Sequence, residues 1–272
     1  MTKNLDYEGL RSIIKNYDLI FIDLWGVIHN GIKLHEKAID VLTKISETKK
    51  KYILLTNAPR PNNVVKIFLK KMGMNKNMRE NVYTSGEAAL SYLKKNYIGQ
   101  SFYHIGPPRD FDLFIDFKNN KTHDINKSNY LLCTGLYEDH DQDLNYYKEL
   151  LINSVSKKMI CTNPDLIVDR GEKREYCAGS VAMTFKKLGG EVIYFGKPYP
   201  EVYNHSTVSN NKKVIAIGDN LNTDIKGAMN MNFDSLIITD GIHKEEIKKK
   251  GITNVLKNYN VKATFSQSEL KW

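Results

Sequence analysis

Four apolar residues, Leu19-Ile20-Phe21-Ile22, run without interruption into Asp23, and Gly26 punctuates the turn that follows. Such a run predicts a strand over 18–23 that is buried on both faces of a parallel sheet and delivers a carboxylate to its carboxyl edge. Upstream, residues 7–16 read as a helix. Downstream, Ala38, Val41, Leu42 and Ile45 recur at helical spacing within 35–50. Tyr52-Ile53-Leu54-Leu55 then predicts a second strand, releasing Thr56-Asn57-Ala58-Pro59 at its tip. Pro61 and Asn62 open another helix, with Val64, Val65, Phe68 and Leu69 turned inward and Gly73 as its stop. Residues 82–84 read as a short strand, after which Ser85 caps a helix beginning at Gly86-Glu87.

The rhythm continues with longer loops from about 99 to 190. Strands are expected at 101–105, 130–134 and 159–162, helices at 141–155 and 178–188, and a surface loop at Lys118-Asn119-Asn120-Lys121. It tightens again at strand Val192-Ile193-Tyr194-Phe195, a helix at 199–209, strand Val214-Ile215-Ala216-Ile217, a helix at 222–231 and strand Ser235-Leu236-Ile237-Ile238. Alternating strands and helices imply an α/β fold, a Rossmann-like doubly wound parallel sheet with right-handed crossovers. The middle third is best explained as a second α/β unit inserted into the first. The expected division is a discontinuous core of residues 1–84 and 196–272, with an inserted α/β cap at 85–195.

Composition adds few constraints. The 272 residues are 41% hydrophobic and 26% charged, which is ordinary for a globular chain. No apolar run is long enough to span a bilayer, and the start Met1-Thr2-Lys3-Asn4-Leu5-Asp6 has no secretory h-region, so a soluble cytoplasmic protein with no membrane partner is expected. The net charge of +9 raises an anionic partner. The lysines are scattered, however, and the runs Lys49-Lys50-Lys51 and Lys248-Lys249-Lys250 read as helix ends without interleaved aromatics, so no nucleic-acid partner is expected. Cys133, Cys161 and Cys177 are far apart and odd in number, which suggests reduced, buried thiols.

Four strand tips release polar groups: Asp23; Thr56; Lys197 in Gly196-Lys197-Pro198; and Asp219 with Asp224 in Gly218-Asp219-Asn220-Leu221-Asn222-Thr223-Asp224. Singly, each has an ordinary reading as a turn, cap or solvated residue. Read as following strands of one parallel sheet, they should collect at one carboxyl edge. Converging carboxylates call for a hard divalent cation on oxygen ligands. A lysine and a hydroxyl beside it would receive a small anion such as phosphate, with Asp23 placed to attack.

In this order the motifs resemble the haloacid dehalogenase (HAD) superfamily, and within it the class IIA phosphatase-like hydrolases. The resemblance rests on Phe21-Ile22-Asp23-Leu24-Trp25-Gly26-Val27, Thr56-Asn57, Gly196-Lys197-Pro198 and Gly218-Asp219 through Thr223-Asp224. Thr162-Asn163-Pro164-Asp165 and Ala178-Gly179-Ser180 support it within the insertion. It implies a Mg²⁺-dependent phosphatase that hydrolyses a small phosphomonoester, a sugar phosphate or similar metabolite, through an aspartyl-phosphate on Asp23. Thr56 and Lys197 would hold the phosphate with Asn57 nearby. Mg²⁺ would be held by Asp23, the Trp25 backbone carbonyl and Asp219, with Asp224 binding it or supporting those ligands. Asn163 and Asp165 would read the leaving group, although an Asn-Pro-Asp turn explains them equally. Relatives that dimerise through the cap leave a homodimer open.

One position departs from the pattern. Phosphatases of the family usually carry a second aspartate two residues after the nucleophile, as acid and then base; here that residue is Trp25. Some relatives also carry Asp-x-Trp-Gly, so Trp25 would mark a subgroup. Three outcomes follow: another group substitutes, only activated phosphates turn over well, or hydrolysis is lost. His29 is the nearest titratable substitute, against a plain reading as a turn histidine, and His243 is a more distant one. The alternative reading is therefore a catalytically weak phosphometabolite-binding or regulatory protein on the same scaffold. A signalling receiver domain, which also gathers Asp, Thr and Lys around Mg²⁺, fits neither the insertion nor the late acidic motif.

Overall fold

The computed structural model describes residues 2–48, 50–170, 173–204 and 213–272. Its strands, in chain order, are β1 (Lys3–Asn4), β2 (Leu19–Ile22), β3 (Lys51–Thr56), β4 (Val82–Thr84), β5 (Phe102–Ile105), β6 (Lys121–Thr122), β7 (Tyr130–Cys133), β8 (Lys158–Cys161), β9 (Ile167–Arg170), β10 (Lys173–Tyr176), β11 (Glu191–Tyr194), β12 (Val214–Gly218), β13 (Asp234–Ile238) and β14 (Phe265–Gln267). The chain forms two units: residues 1–56, 66–83 and 197–272, and residues 57–65 and 84–196.

In the first unit the sheet order is β1-β14-β13-β12-β2-β3-β4. The pairings from β1 through to β3 are parallel. Every residue of Leu19–Ile22 is buried, as an uninterrupted apolar run requires. The helix Glu36–Glu47 buries Ala38, Val41, Leu42 and Ile45. Removing the larger three of these from water contributes roughly 1.5–3 kcal/mol each. From β2 the chain builds outward through β3 and β4, and from β12 it builds the other way through β13 and β14. The reversal lies between β2 and β12, so Asp23 and Asp219 stand at the crevice where doubly wound sheets bind ligands.

The second unit has a five-stranded parallel sheet, β11-β8-β7-β5-β6. The helices Leu144–Leu151 and Ala178–Lys187 pack Tyr147, Leu151, Val181 and Phe185 onto Leu131 and Met159. Cys133 and Cys161 are register partners on β7 and β8, and all three cysteines are buried free thiols. A separate antiparallel hairpin joins β9 to β10.

Several expectations change. Residues 7–16 form two 3-10 turns, Leu10–Ser12 and Ile14–Asn16, because Gly9 at φ +72° breaks the backbone ahead of them and Tyr7 points to solvent at 98% exposure. Phe68 is turned outward at 38% exposure. Thr84, not Ser85, caps the helix Ser85–Asn96, its side chain accepting from the Glu87 N–H. Ser85 is the first helical residue, and its hydroxyl lies 2.9 Å from the Ala58 carbonyl and 2.6 Å from that of Thr162. Lys118–Asn120 closes a run of 3-10 turns over Pro108–Asn120, and Lys121 opens β6. The helix expected at 141–155 is α-helical over Leu144–Leu151 and tightens to a 3-10 turn at Ile152–Ser154. Of the helix expected at 199–209, Pro200–Asn204 is helical and 205–209 lies outside the described residues. Of the run 49–51, Lys49 lies outside them and Lys51 opens β3; Lys248–Lys250 does end a helix, Lys244–Lys250. Lys197 does not follow a strand of the sheet that carries Asp23, because β11 belongs to the other sheet.

Candidate active site

Lys197 nevertheless completes the Asp23 site within the first unit. Its ammonium, 4% exposed as a residue, donates to Asp23 Oδ1 at 2.5 Å, to Asp224 Oδ1 at 2.7 Å and to the Leu55 carbonyl at 3.0 Å. Asp23, Asp219 and Asp224 are all buried, each with a carboxylate oxygen within 4.8 Å of the others'. Thr56, the last residue of β3, is buried on the strand beside β2, where Ile22 pairs with Leu54.

Local backbone explains how the acids are held. After β12 the chain makes a wide π-type turn over Leu221–Ile225, with the N–H groups of Asp224 and Ile225 both donating to the Asn220 carbonyl. Such insertions are frequent at functional sites. This one folds Asp224 back toward β12, where its Oδ2 accepts from the Asn220 N–H at 3.1 Å. Asp219 Oδ2 accepts from the Ile242 N–H at 2.9 Å. A Cβ on Gly26 would come within 2.1 Å of that oxygen and one on Gly241 within 2.2 Å, so two bare backbones close around the Asp219 carboxylate. The sequence shows Gly26 in the turn after Asp23 but assigns neither glycine, nor the Ile242 donor, a role at Asp219; the signal was Asp240-Gly241, just past β13.

The electrostatics favour a cation. Burial, with repulsion from Asp224 and Asp219 added, pushes the Asp23 carboxyl well above the ordinary carboxylate range, and Lys197 opposes the shift. Burial would lower the Lys197 ammonium, but the facing carboxylates of Asp224 and Asp23 outweigh it and hold it up. Among the described residues, the buried carboxylates of Asp23, Asp219 and Asp224 cluster around the Lys197 ammonium, so a hard divalent cation on the same oxygens would supply positive charge to balance them. The donor set fits Mg²⁺.

Of the remaining candidates, Trp25, His29 and His243 belong to the first unit, and Asn57, Asn163 and Asp165 to the second. His29 is buried; its Nδ1 accepts from the Gly31 N–H at 3.0 Å, and its ring meets Trp25 and Phe68 edge-on at 5.1 and 5.7 Å. Burial, with His35 adding to it, lowers its pKa to about 4. Trp25 lies over Gly31, where a Cβ would come within 2.6 Å of the indole. His243 Nε2 accepts from the Leu221 N–H at 3.2 Å, which fixes the start of the π turn. In the second unit, Asn57 donates to Asp165 Oδ1 at 3.1 Å. Asn163 Oδ1 accepts from the Asp165 N–H at 2.9 Å, the local turn expected of Asn-Pro-Asp.

Comparison with known proteins gives a consistent picture. A model of haloacid dehalogenase-like hydrolases matches residues 20–117, and a HAD-hydrolase-like model matches residues 194–261. The chain is 24% identical over 261 residues to an acid sugar phosphatase of Staphylococcus saprophyticus, covering 88% of this chain and 93% of that one. It is 22% identical over 273 residues to phosphoglycolate phosphatase 2 of Arabidopsis thaliana, covering 89% of each. Among solved structures, a haloacid dehalogenase-like hydrolase from Brucella suis 1330 superposes with a TM-score of 0.84 at 29% identity, over 96% of this chain and 98% of that chain. The first model spans Asp23 and Thr56, and the second spans Lys197, Asp219 and Asp224, so the matches fall on the two segments that build the buried cluster. With the doubly wound sheet and the order of motifs, they show that the chain belongs to the haloacid dehalogenase superfamily, of the class IIA type.

Proposed function

We propose that this protein is a Mg²⁺-dependent phosphoric monoester hydrolase acting on a small phosphorylated metabolite, with Asp23 as nucleophile. The observation that carries the reading is the buried set Asp23, Lys197, Asp219 and Asp224 at the reversal point of the sheet. The phosphatase names of the relatives support it. The carboxylates of Asp23 and Asp219 and the Trp25 carbonyl would hold the metal, with Asp224 binding it or orienting Lys197. When bound, Mg²⁺ would act as a Lewis acid that neutralises phosphoryl charge.

The chain's own residues would do the rest. An Asp23 oxygen forms a bond to phosphorus as the ester P–O bond breaks, giving an aspartyl-phosphate. Lys197 and the Thr56 hydroxyl hold the equatorial oxygens as charge develops on them. Water then releases phosphate and restores the Asp23 carboxylate. The second unit would select the leaving group, through Asn163 and Asp165. The Asn57–Asp165 hydrogen bond supports this, because Asn57 directly follows Thr56 in the chain. A cytoplasmic location accompanies this reading.

The deciding experiment assays purified protein on a panel of phosphate esters, with and without MgCl₂, beside Asp23→Asn. Metal-dependent turnover that disappears in the variant is expected. Turnover that survives Asp23→Asn would remove the proposed nucleophile. Phosphate-induced thermal stabilisation without turnover would favour a binding protein, the reading that Trp25 motivates.

A further inference from the structure

Resting on that reading, we infer that Ser85 is a positioning residue for the proposed reaction. It fixes the turn Thr162-Asn163-Pro164-Asp165, which would read the leaving group, against Asn57-Ala58, which directly follow Thr56. Ser85, the turn and Asn57-Ala58 all belong to the second unit.

Ser85 is fully buried, and its hydroxyl lies 2.9 Å from the Ala58 carbonyl and 2.6 Å from the Thr162 carbonyl. A hydroxyl has a single O–H to donate. The Ala58 carbonyl also accepts from the Gly86 N–H at 3.1 Å, a donor that the first turn of a helix leaves without an intrahelical partner. The division that satisfies both carbonyls gives Ala58 the Gly86 N–H and Thr162 the Ser85 hydroxyl. The two residues that open the helix Ser85–Asn96 thereby hold together two segments far apart in the chain. The Asn57–Asp165 hydrogen bond at 3.1 Å joins the same segments again. Gly196 lies among them: a Cβ there would come within 2.5 Å of Asn57 Oδ1, 2.8 Å of Pro164 Cδ and 3.0 Å of Ser85 Cβ. Groups packed this closely pass a displacement from one to the next.

The phosphate side is held by other means. Thr56 is the last residue of β3, and Lys197 is bonded to Asp23, Asp224 and the Leu55 carbonyl. The far end of the turn is held as well, by the Gly179 N–H donating to the Asp165 carbonyl at 3.1 Å. Ser85→Ala should therefore keep the phosphate groups in place and the turn folded, and misplace Asn163 and Asp165.

The test separates the leaving group from the phosphate. Ser85→Ala, Asp165→Ala, the double variant and Asp23→Asn are assayed in saturating MgCl₂ on the phosphate ester that the wild type turns over best. Inorganic phosphate is the inhibitor; it has the reacting group without a leaving group, so its inhibition constant reports the phosphate side alone. Ser85→Ala is expected to lower kcat/KM about tenfold or more, as misplaced positioning groups do, and to change the phosphate inhibition constant by less than about twofold. In the Asp165→Ala background the same substitution should cost less than about threefold, because the two residues act through one contact. An equal loss in both backgrounds, or none in either, would overturn this inference alone, with Asp23-dependent turnover still supporting the proposed function. An inhibition constant that rises in step with the loss would also overturn it, by placing Ser85 on the phosphate side. Absence of Asp23-dependent turnover on every ester would overturn the proposed function and this inference together. If Ser85→Ala does not fold, Ser85→Cys, whose thiol is a weak donor, is read in the same way.

Discussion

The Oδ2 atom of Asp219 lies 2.2 Å from where a Cβ on Gly241 would stand. The carboxylate is thus seated against bare backbone, and the Ile242 N–H beside that glycine holds the same oxygen. Gly241→Ala is expected to push Asp219 out of its seat. The Mg²⁺ concentration for half-maximal turnover should rise about tenfold or more, the low end for disturbing the support of a metal ligand. Overpacking should also lower stability by about 1–3 kcal/mol. An unchanged Mg²⁺ titration would show that Asp219 is not a ligand.

Lys197→Met removes the ammonium bonded to Asp23 and Asp224. Taking one partner from a buried ion pair costs about 3–5 kcal/mol. Urea denaturation in EDTA should show a loss of that order, and MgCl₂ should restore part of it by neutralising the same carboxylates. Equal stability of wild type and variant in EDTA would contradict the charge balance described for the site.

The second unit carries a pair of opposed titrations. Burial pushes the Asp110 carboxyl up to about 6, with Thr134 bonding against the shift, and burial lowers His104 to about 3. The His104 ring nitrogen Nε2 lies 2.9 Å from the Thr134 hydroxyl. For Asp110, between its unfolded value near 3.8 and about 6, the folded state holds more protons, so this group lowers stability as pH rises through that window. For His104, between about 3 and 6.5, the unfolded state holds more protons, so this group adds stability as pH rises. Between pH 4 and 6 the two slopes oppose. Asp110→Asn should therefore stabilise the protein at pH 7.5 by about 1–3 kcal/mol, from a shift of roughly two units. At pH 4 it should change little. A denaturation midpoint that responds equally at both pH values would disprove the assignment.

Thr84 does two things at the start of its helix: it accepts from the Glu87 N–H at 3.0 Å and donates to the Arg60 carbonyl at 2.6 Å. Thr84→Ala should cost about 1–2 kcal/mol, the upper range for a lost N-cap. Ser85→Ala is the control for the expected cap one residue later. A greater loss of N-terminal helix protection in hydrogen exchange for Ser85→Ala than for Thr84→Ala would reverse the assignment.

What could be read from the sequence follows from how strongly each segment is patterned. Leu19–Ile22 has four consecutive apolar residues and one physical solution, so β2 and its terminal Asp23 were legible. Val192–Tyr194 has the same character, but an apolar run carries no label for the sheet it joins, and Lys197 was placed after the wrong one. Phe68 has the spacing of an inward residue, yet it is 38% exposed and covers the buried His29 ring edge-on, because Leu69 takes the core position. β14 and β10 were invisible: Phe265-Ser266-Gln267 is too short to show a period, and Lys173-Arg174-Glu175-Tyr176 is charged and pairs with β9 in a hairpin. The acidic residues were found from their strand tips, whereas the glycines that seat Asp219 act by lacking a side chain. Their effect exists only in three dimensions.

The pairing of β1 with β14 has a consequence for synthesis. Lys3 and Asn4 pair with Phe265 and Ser266, the Leu10 N–H donates to the Lys271 carbonyl, and the Gln267 side chain reaches the Leu5 carbonyl. The strand Lys3–Asn4 therefore has no partner until Phe265 and Ser266 have been made. The five-stranded sheet of the second unit, by contrast, has all its strands by Tyr194. Since domains tend to fold as units during synthesis, the later-starting unit is expected to acquire structure first. Protease digestion of chains stalled near residue 230 would show a protected 84–196 fragment if this order holds, and uniform cleavage if it does not. The segment around Lys3–Asn4 would then stay exposed to chaperones and proteases well after the second unit has closed.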